Sequence, residues 1–327
     1  MWSPVEPGKA MRHGIRGEAW RIALLCATHR GYRFLQKLLA LVPDAELFVF
    51  SFREEPWEPP FVDDIRTLAE SHGHRFFTAR NVGSPRWRSF WETTPLDLML
   101  VVSWRYLIPP EVFRRPRQGT FVWHDSLLPA YRGFSPTVWA ILNGEDHTGV
   151  TLFEMAEEVD SGDIVDQERV PIGPDDPIRV VMERVTEAYL TLLERNLEAL
   201  LAGTAPRRPQ DPSRATYTCK RLPQDNRIDW KAPTAAVYNL IRAVSAPYPG
   251  AYTFLDGRKL IVWAARRLPD APRYVGRVPG RVVEVRPGEG VVVLTGDGAL
   301  LLTEVQPEGM PPVCAAEVLQ SLSQTLE

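Results

Sequence analysis

The chain has 327 residues, 44% hydrophobic and 24% charged, which is ordinary for a globular protein and long enough for two separate cores. With 38 basic against 41 acidic residues the net charge is −3, so the summed field does not draw in a polyanion, and this argues against nucleic acid as a partner. No apolar run reaches the roughly 20 residues of a membrane-crossing helix, which argues against a membrane-spanning segment.

The opening MWSPVEPGKAMRHGIRGEAW lacks the apolar centre of a signal peptide. Residues 1–18 are expected to be a disordered leader, and the location is expected to be cytoplasmic. WRIALLCA (20–27) predicts a strand, and YRFLQKLLALV after it a helix whose Phe34, Leu35, Leu38 and Leu39 share one face. ELFVFSF (46–52) with DDIRTLAESHG, and LDLMLVVS (96–103) with the turn WRYLIPPEVF, repeat that alternation. Strands and helices at this spacing predict an α/β fold: a mostly parallel, doubly wound, Rossmann-like sheet. TFVWH, TGVTLFEM and IVDQERVPI continue as strands, and VVMERVTEAYLTLLERNLEALLAG as a long helix closed by Gly203. A first domain is therefore expected over 19–203, with TAPRRPQDPSRA (204–215) as linker. Over 216–327 a helix (TAAVYNLIRAV) precedes short strands AYTFL, KLIVWAA, GRVVEV, GVVVLT and ALLLTEV, separated by Gly turns, with AAEVLQSL as a last helix. That grammar predicts a small OB-like β-barrel.

Cys26, Cys219 and Cys314 lie far apart, which points to reduced thiols and to no metal site. His124 closes an apolar strand and enters the loop HDSLLPAYRG, at the strand end where α/β sheets place their sites. Asp160 follows in the loop EVDSGD. Taken singly, His124 reads equally well as a turn cap with Asp125, and Asp160 as the holder of a tight turn before Gly162.

Residues 124–167, with SLLP, YRG, an apolar helix, TGVT and the DSGD loop in order, resemble the folate-dependent formyltransferases, a family that includes the methionyl-tRNA and amino-sugar-nucleotide enzymes. VVSWRYLIPPEVF before them resembles the family's pterin-pocket strand and turn, and 215–309 resembles its OB-like C-terminal domain. The resemblance implies 10-formyltetrahydrofolate as formyl donor, no metal, His124 and Asp160 as catalytic residues, and Arg105, Tyr106 and Leu107 at the pterin edge. Ser126, Tyr131 and Arg132 would line the acceptor cleft. His29 and Arg30, in the first strand's loop, would be available to a nucleotide diphosphate. One position departs from the family pattern: the asparagine expected two residues before the histidine is Val122, which cannot donate a hydrogen bond to the formyl oxygen.

Methionyl-tRNA formyltransferases carry a basic loop after the second strand, but here REEPWEPPFVDD (53–64) has one Arg against five acidic residues. The expected acceptor is therefore a small-molecule amine, foremost a nucleotide-linked amino-sugar. The alternatives are a methionyl-tRNA formyltransferase and a folate-binding homologue with weak or no transfer.

Overall fold

The computed structural model describes residues 19–56 and 58–327; the expected leader, 1–18, lies outside the described residues. In chain order the elements begin with β1 (Arg21–Cys26), α1 (Thr28–Leu41), β2 (Glu46–Ser51), α2 (Val62–Ser71), β3 (Arg75–Thr78), α3 (Pro85–Thr93), β4 (Leu98–Val102), α4 (Pro110–Phe113) and β5 (Thr120–His124). They continue with β6 (Arg132–Gly133), α5 (Pro136–Leu142), β7 (His147–Glu154), β8 (Ile164–Pro171), α6 (Ile178–Ala202) and β9 (Tyr217–Thr218). The last third holds α7 (Thr234–Ala243), β10 (Ala251–Leu255), β11 (Arg258–Arg267), β12 (Val282–Arg286), β13 (Gly290–Leu294), β14 (Ala299–Pro307), β15 (Val313–Cys314) and α8 (Ala315–Val318).

Packing groups these into two compact units. One holds the described residues up to Arg132 with 149–169 and 185–217; the other holds 133–148, 170–184 and 218–327. In the first unit a seven-stranded sheet runs β3-β2-β1-β4-β5-β7-β8. The pairs from β3 through β5 are parallel, and β7 joins β5 antiparallel. β1, β2 and β4 are buried almost throughout, as strands covered on both faces must be, and this explains their unbroken apolar sequence. α1 buries Phe34, Leu35, Leu38 and Leu39, the face predicted from its periodicity. Gly31 lets its first turn lie close to β1: a Cβ there would stand 3.1 Å from that of Cys26.

β3 and α3 are additions to the predicted elements. RFFT is short and only partly buried, and α3 shows its inner face through just Trp87 and Trp91, one turn apart, which pack with Phe50. The second unit carries an antiparallel sheet ordered β10-β11-β14-β13-β12, with β15 on β14. α8 stops at Val318, short of the predicted AAEVLQSL helix.

Because β1 has β2 on one side and β4 on the other, the chain order reverses between β1 and β4. Such a reversal opens a crevice outside the strands' carboxyl ends. The carboxyl ends Cys26, Val102 and His124 lead into the loops that carry the predicted site.

Candidate active site

β5 carries His124 as its last residue, opposite Thr151 of β7, and leaves it 9% exposed. Its Nε2 lies 2.9 Å from the carbonyl oxygen of Tyr131. A carbonyl can only accept, so Nε2 is assigned the proton and Nδ1 is the nitrogen left free of that contact. Nδ1 faces Asp160 Oδ2 at 3.6 Å, within ion-pair reach and too long for a direct hydrogen bond. The two residues singled out in sequence are therefore neighbours in space.

Asp160 sits at φ 52°, in the left-handed region that costs an L-residue about 1 kcal/mol or more. Gly162, two residues on, has no alternative, since a Cβ would lie 1.7 Å from the Glu154 carbonyl oxygen. Gln210 spans the turn from outside: its Nε2 donates to the carbonyls of Asp160 (2.8 Å) and Gly162 (2.7 Å). Arg132, 4% exposed, donates to Gln210 Oε1 from Nε (3.1 Å) and Nη2 (2.6 Å). Gln210 belongs to the stretch expected as linker, which also pairs Arg208 with Ile164 through two backbone hydrogen bonds.

Behind His124, Asp125 receives a forked contact from Arg30 Nη1, 2.8 and 2.9 Å to its two oxygens. The Tyr189 hydroxyl reaches both Asp125 Oδ1 and the Trp123 carbonyl, and the Arg30 guanidinium lies 4.6 Å over the Tyr189 ring. Burial alone would push the Asp125 carboxyl up; the Arg30 charge and the Tyr189 hydrogen bond outweigh it and hold the group below the usual carboxylate range. Burial, together with the Asp125 charge, drives the Tyr189 phenol well above its ordinary value, so it remains a donor.

The other predicted residues fall in two sets. Arg30 is 8% exposed and turned to Asp125, whereas His29 is exposed and lies 5.3 Å from the Phe61 ring. The Ser126 hydroxyl donates inside its own loop to the Ala130 carbonyl at 2.7 Å, and Tyr131 takes φ 59° with its N–H on Thr216. At 105 and 106 the side chains turn back to the protein. Arg105 pairs with Glu58 at 2.8 Å over the Phe52 ring, and Tyr106 stacks edge-on to Phe52. Leu107 stands 84% exposed. The buried Nε1 of Trp104 has no hydrogen-bond partner among the described residues, and its ring packs against the apolar core of the first unit.

Val122 packs beside Leu128, Phe153 and Ile164, and its methyl groups offer no donor. Part of the acidity of the 53–64 stretch has a local cause: Asp63 and Asp64 occupy the first turn of α2, where the helix dipole favours negative charge, and Glu54 accepts from the Phe61 N–H. A cavity of about 520 Å³ lies at the opposite end of β5, lined by Phe113, Arg114, Gly119, Thr120, Glu154 and Arg207 among others. Its arginines Arg114, Arg117 and Arg207 are engaged by Glu157, Asp97 and Glu154.

Two sequence models of the same family cover most of the chain: formyl transferase over 49–197 and formyl transferase, C-terminal domain, over 222–323. The chain belongs to the formyl transferase family, a family of one-carbon group-transfer enzymes. Among solved structures, HypX from Aquifex aeolicus in complex with tetrahydrofolic acid is 22% identical, with 91% of this chain and 46% of that chain covered and a TM-score of 0.61. This formyl transferase family chain thus spans about half the length of the HypX chains that it matches. WlaRD, a sugar 3N-formyl transferase with dTDP and 5-N-formyl-THF present, is 18% identical over 90% and 100% of the two chains, with a TM-score of 0.66. The Helicobacter canadensis N-formyltransferase in complex with folinic acid and dTDP-3-aminofucose is 17% identical over 88% and 99%, with a TM-score of 0.64. At these identities the likeness is one of fold. Among the described residues no helix is long and apolar enough to cross a membrane, and no cluster of metal-ligating side chains occurs.

Proposed function

We propose that the chain is a cytoplasmic N-formyltransferase that moves a formyl group from 10-formyltetrahydrofolate to the amine of a small molecule, foremost a nucleotide-linked amino-sugar. The observation that carries this reading is the meeting of His124 Nδ1 and Asp160 at the carboxyl end of β5 in a chain of this family. The acceptor nitrogen bonds to the formyl carbon, the bond from that carbon to the folate nitrogen breaks, one proton leaves the amine and one returns to the folate nitrogen. His124, with Asp160 beside it, is placed to take and return that proton. Asp160 steadies the imidazolium while charge builds on the formyl oxygen.

In this reading the backbone of Arg105, Tyr106 and Leu107 meets the pterin edge, with the 156–161 loop opposite. Tyr131 lines the acceptor cleft and the exposed His29 is available to a diphosphate. Ser126, Arg132 and Arg30, whose polar atoms are engaged inside the protein, act by shaping those loops. The antiparallel sheet of the second unit is read as OB-like, and residues 19–203 and 216–327 as the two domains within which the family models match 49–197 and 222–323. The dTDP-sugar ligands of two structural relatives favour a sugar acceptor. The acidic 53–64 stretch disfavours aminoacyl-tRNA.

Incubation with 10-formyltetrahydrofolate and, separately, dTDP-3-amino-sugars, free amino acids and methionyl-tRNA tests this by mass spectrometry. A formyl adduct on a dTDP-amino-sugar is expected. Formylation of methionyl-tRNA alone, or of nothing while the folate still binds, would replace the reading with one of its alternatives.

A further inference from the structure

We infer that Gln210 is a positioning residue for Asp160, anchored in its turn by Arg132. The inference rests on the reading of Asp160 as part of the catalytic pair. Gln210 is not a reacting group: both hydrogens of its amide are spent on the carbonyls of Asp160 and Gly162, and its oxygen is spent on Arg132. The orientation of that amide follows from chemistry, since carbonyls only accept and a guanidinium only donates. Arg132 therefore decides which way the amide points, and the amide decides where the turn lies.

The turn needs such a hold. Asp160 at φ 52° is in a conformation that an aspartate leaves unless its surroundings impose it. Inside the loop, Ser161 bonds to the Glu158 carbonyl, from N at 3.4 Å and from Oγ at 2.9 Å. Gln210 supplies two further bonds, on either side of Ser161, from a segment 50 residues away in sequence from Asp160. Arg132 holds its fork in a buried place and also reaches the Tyr217 hydroxyl at 3.4 Å, so the anchor is itself fixed. A lysine there would offer a point charge in place of the fork. A proline-rich stretch thus acts as a strap across the loop that carries Asp160.

The test combines kinetics and exchange on Gln210→Leu and Arg132→Lys in the full chain. With 10-formyltetrahydrofolate and dTDP-3-aminofucose, kcat should fall roughly 10- to 100-fold while both KM values stay within about 3-fold, the pattern of a misplaced catalytic group. In an Asp160→Ala background Gln210→Leu should cost nothing more, because the residue acts through Asp160. Full kcat in Gln210→Leu, or an undiminished further loss in the Asp160→Ala background, overturns the inference. Full activity of Asp160→Ala itself would overturn the catalytic reading instead. Hydrogen–deuterium exchange decides the structural half whatever the acceptor: amides of 158–162 should exchange about 10-fold faster or more in Gln210→Leu, with β5 unchanged. Equal exchange in that loop sinks the proposal.

Discussion

His124 and Asp160 face each other across 3.6 Å, and the opposite nitrogen of the imidazole is tied to the Tyr131 carbonyl. That tether stops the ring from turning Nδ1 away from Asp160, so a small movement on ligand binding is enough to close the pair. His124→Ala and Asp160→Ala should each lower formyl transfer by about 100- to 10,000-fold, the usual weight of proton transfer by a positioned group. Both residues end strands or sit in loops, so melting temperatures should stay within a few degrees. A variant with normal kcat would remove its residue from the mechanism.

Val122→Asn introduces an amide where the proposed function places the formyl group. An asparagine among Leu128, Phe153 and Ile164 should cost stability, about 1–2 kcal/mol by denaturant titration. Turnover should nevertheless rise, by as much as about 100-fold if no other group now donates to the oxyanion. Unchanged or lower turnover would mean that the site already stabilises that charge by another donor.

The Arg30–Asp125 pair underlies the strand end that carries His124. Removing one partner of a buried pair leaves the other charge stranded, so Arg30→Met should destabilise the protein by about 3 kcal/mol or more. The Asp125 carboxyl is depressed in the folded state, so its contribution is complete above the ordinary carboxyl value and lost as pH falls through the lower folded one. The stability gap between the wild type and Asp125→Asn should therefore be full at neutral pH and shrink below about pH 4. A gap that stays constant down to strong acid would contradict the ion pair.

Gly162→Ala must push its methyl group into the Glu154 carbonyl or move the loop. The loop is the softer of the two, so transfer should drop by about 100-fold or more with folded structure retained by circular dichroism. Wild-type turnover in this variant would show that the position of the 156–162 loop is not critical.

The sheet of the first unit was legible because its strands are buried on both faces and its helices show one apolar stripe, signals that lie within a few residues of each other. β3 and α3 escaped because their inner faces amount to two or three aromatic side chains. His124 and Asp160 could be picked out by the motifs around them. Asp125, adjacent to His124, read as a turn cap, since nothing local says that Arg30 and Tyr189, 95 and 64 residues away, enclose it.

By itself the sequence determined the α/β order of the first two hundred residues, the change to short strands after them, the two side chains proposed to react and the absence of the amide at 122. Those are properties of neighbours along the chain: periodicity, turn residues and the identity of single side chains. The tertiary structure decided that Arg30 and Arg132 spend their charge inside the protein, and that a glutamine in a presumed linker holds the Asp160 turn. Hydrogen bonds over 50 to 95 residues depend on how the loops meet above the sheet, and that meeting exists only once the strands have taken their places.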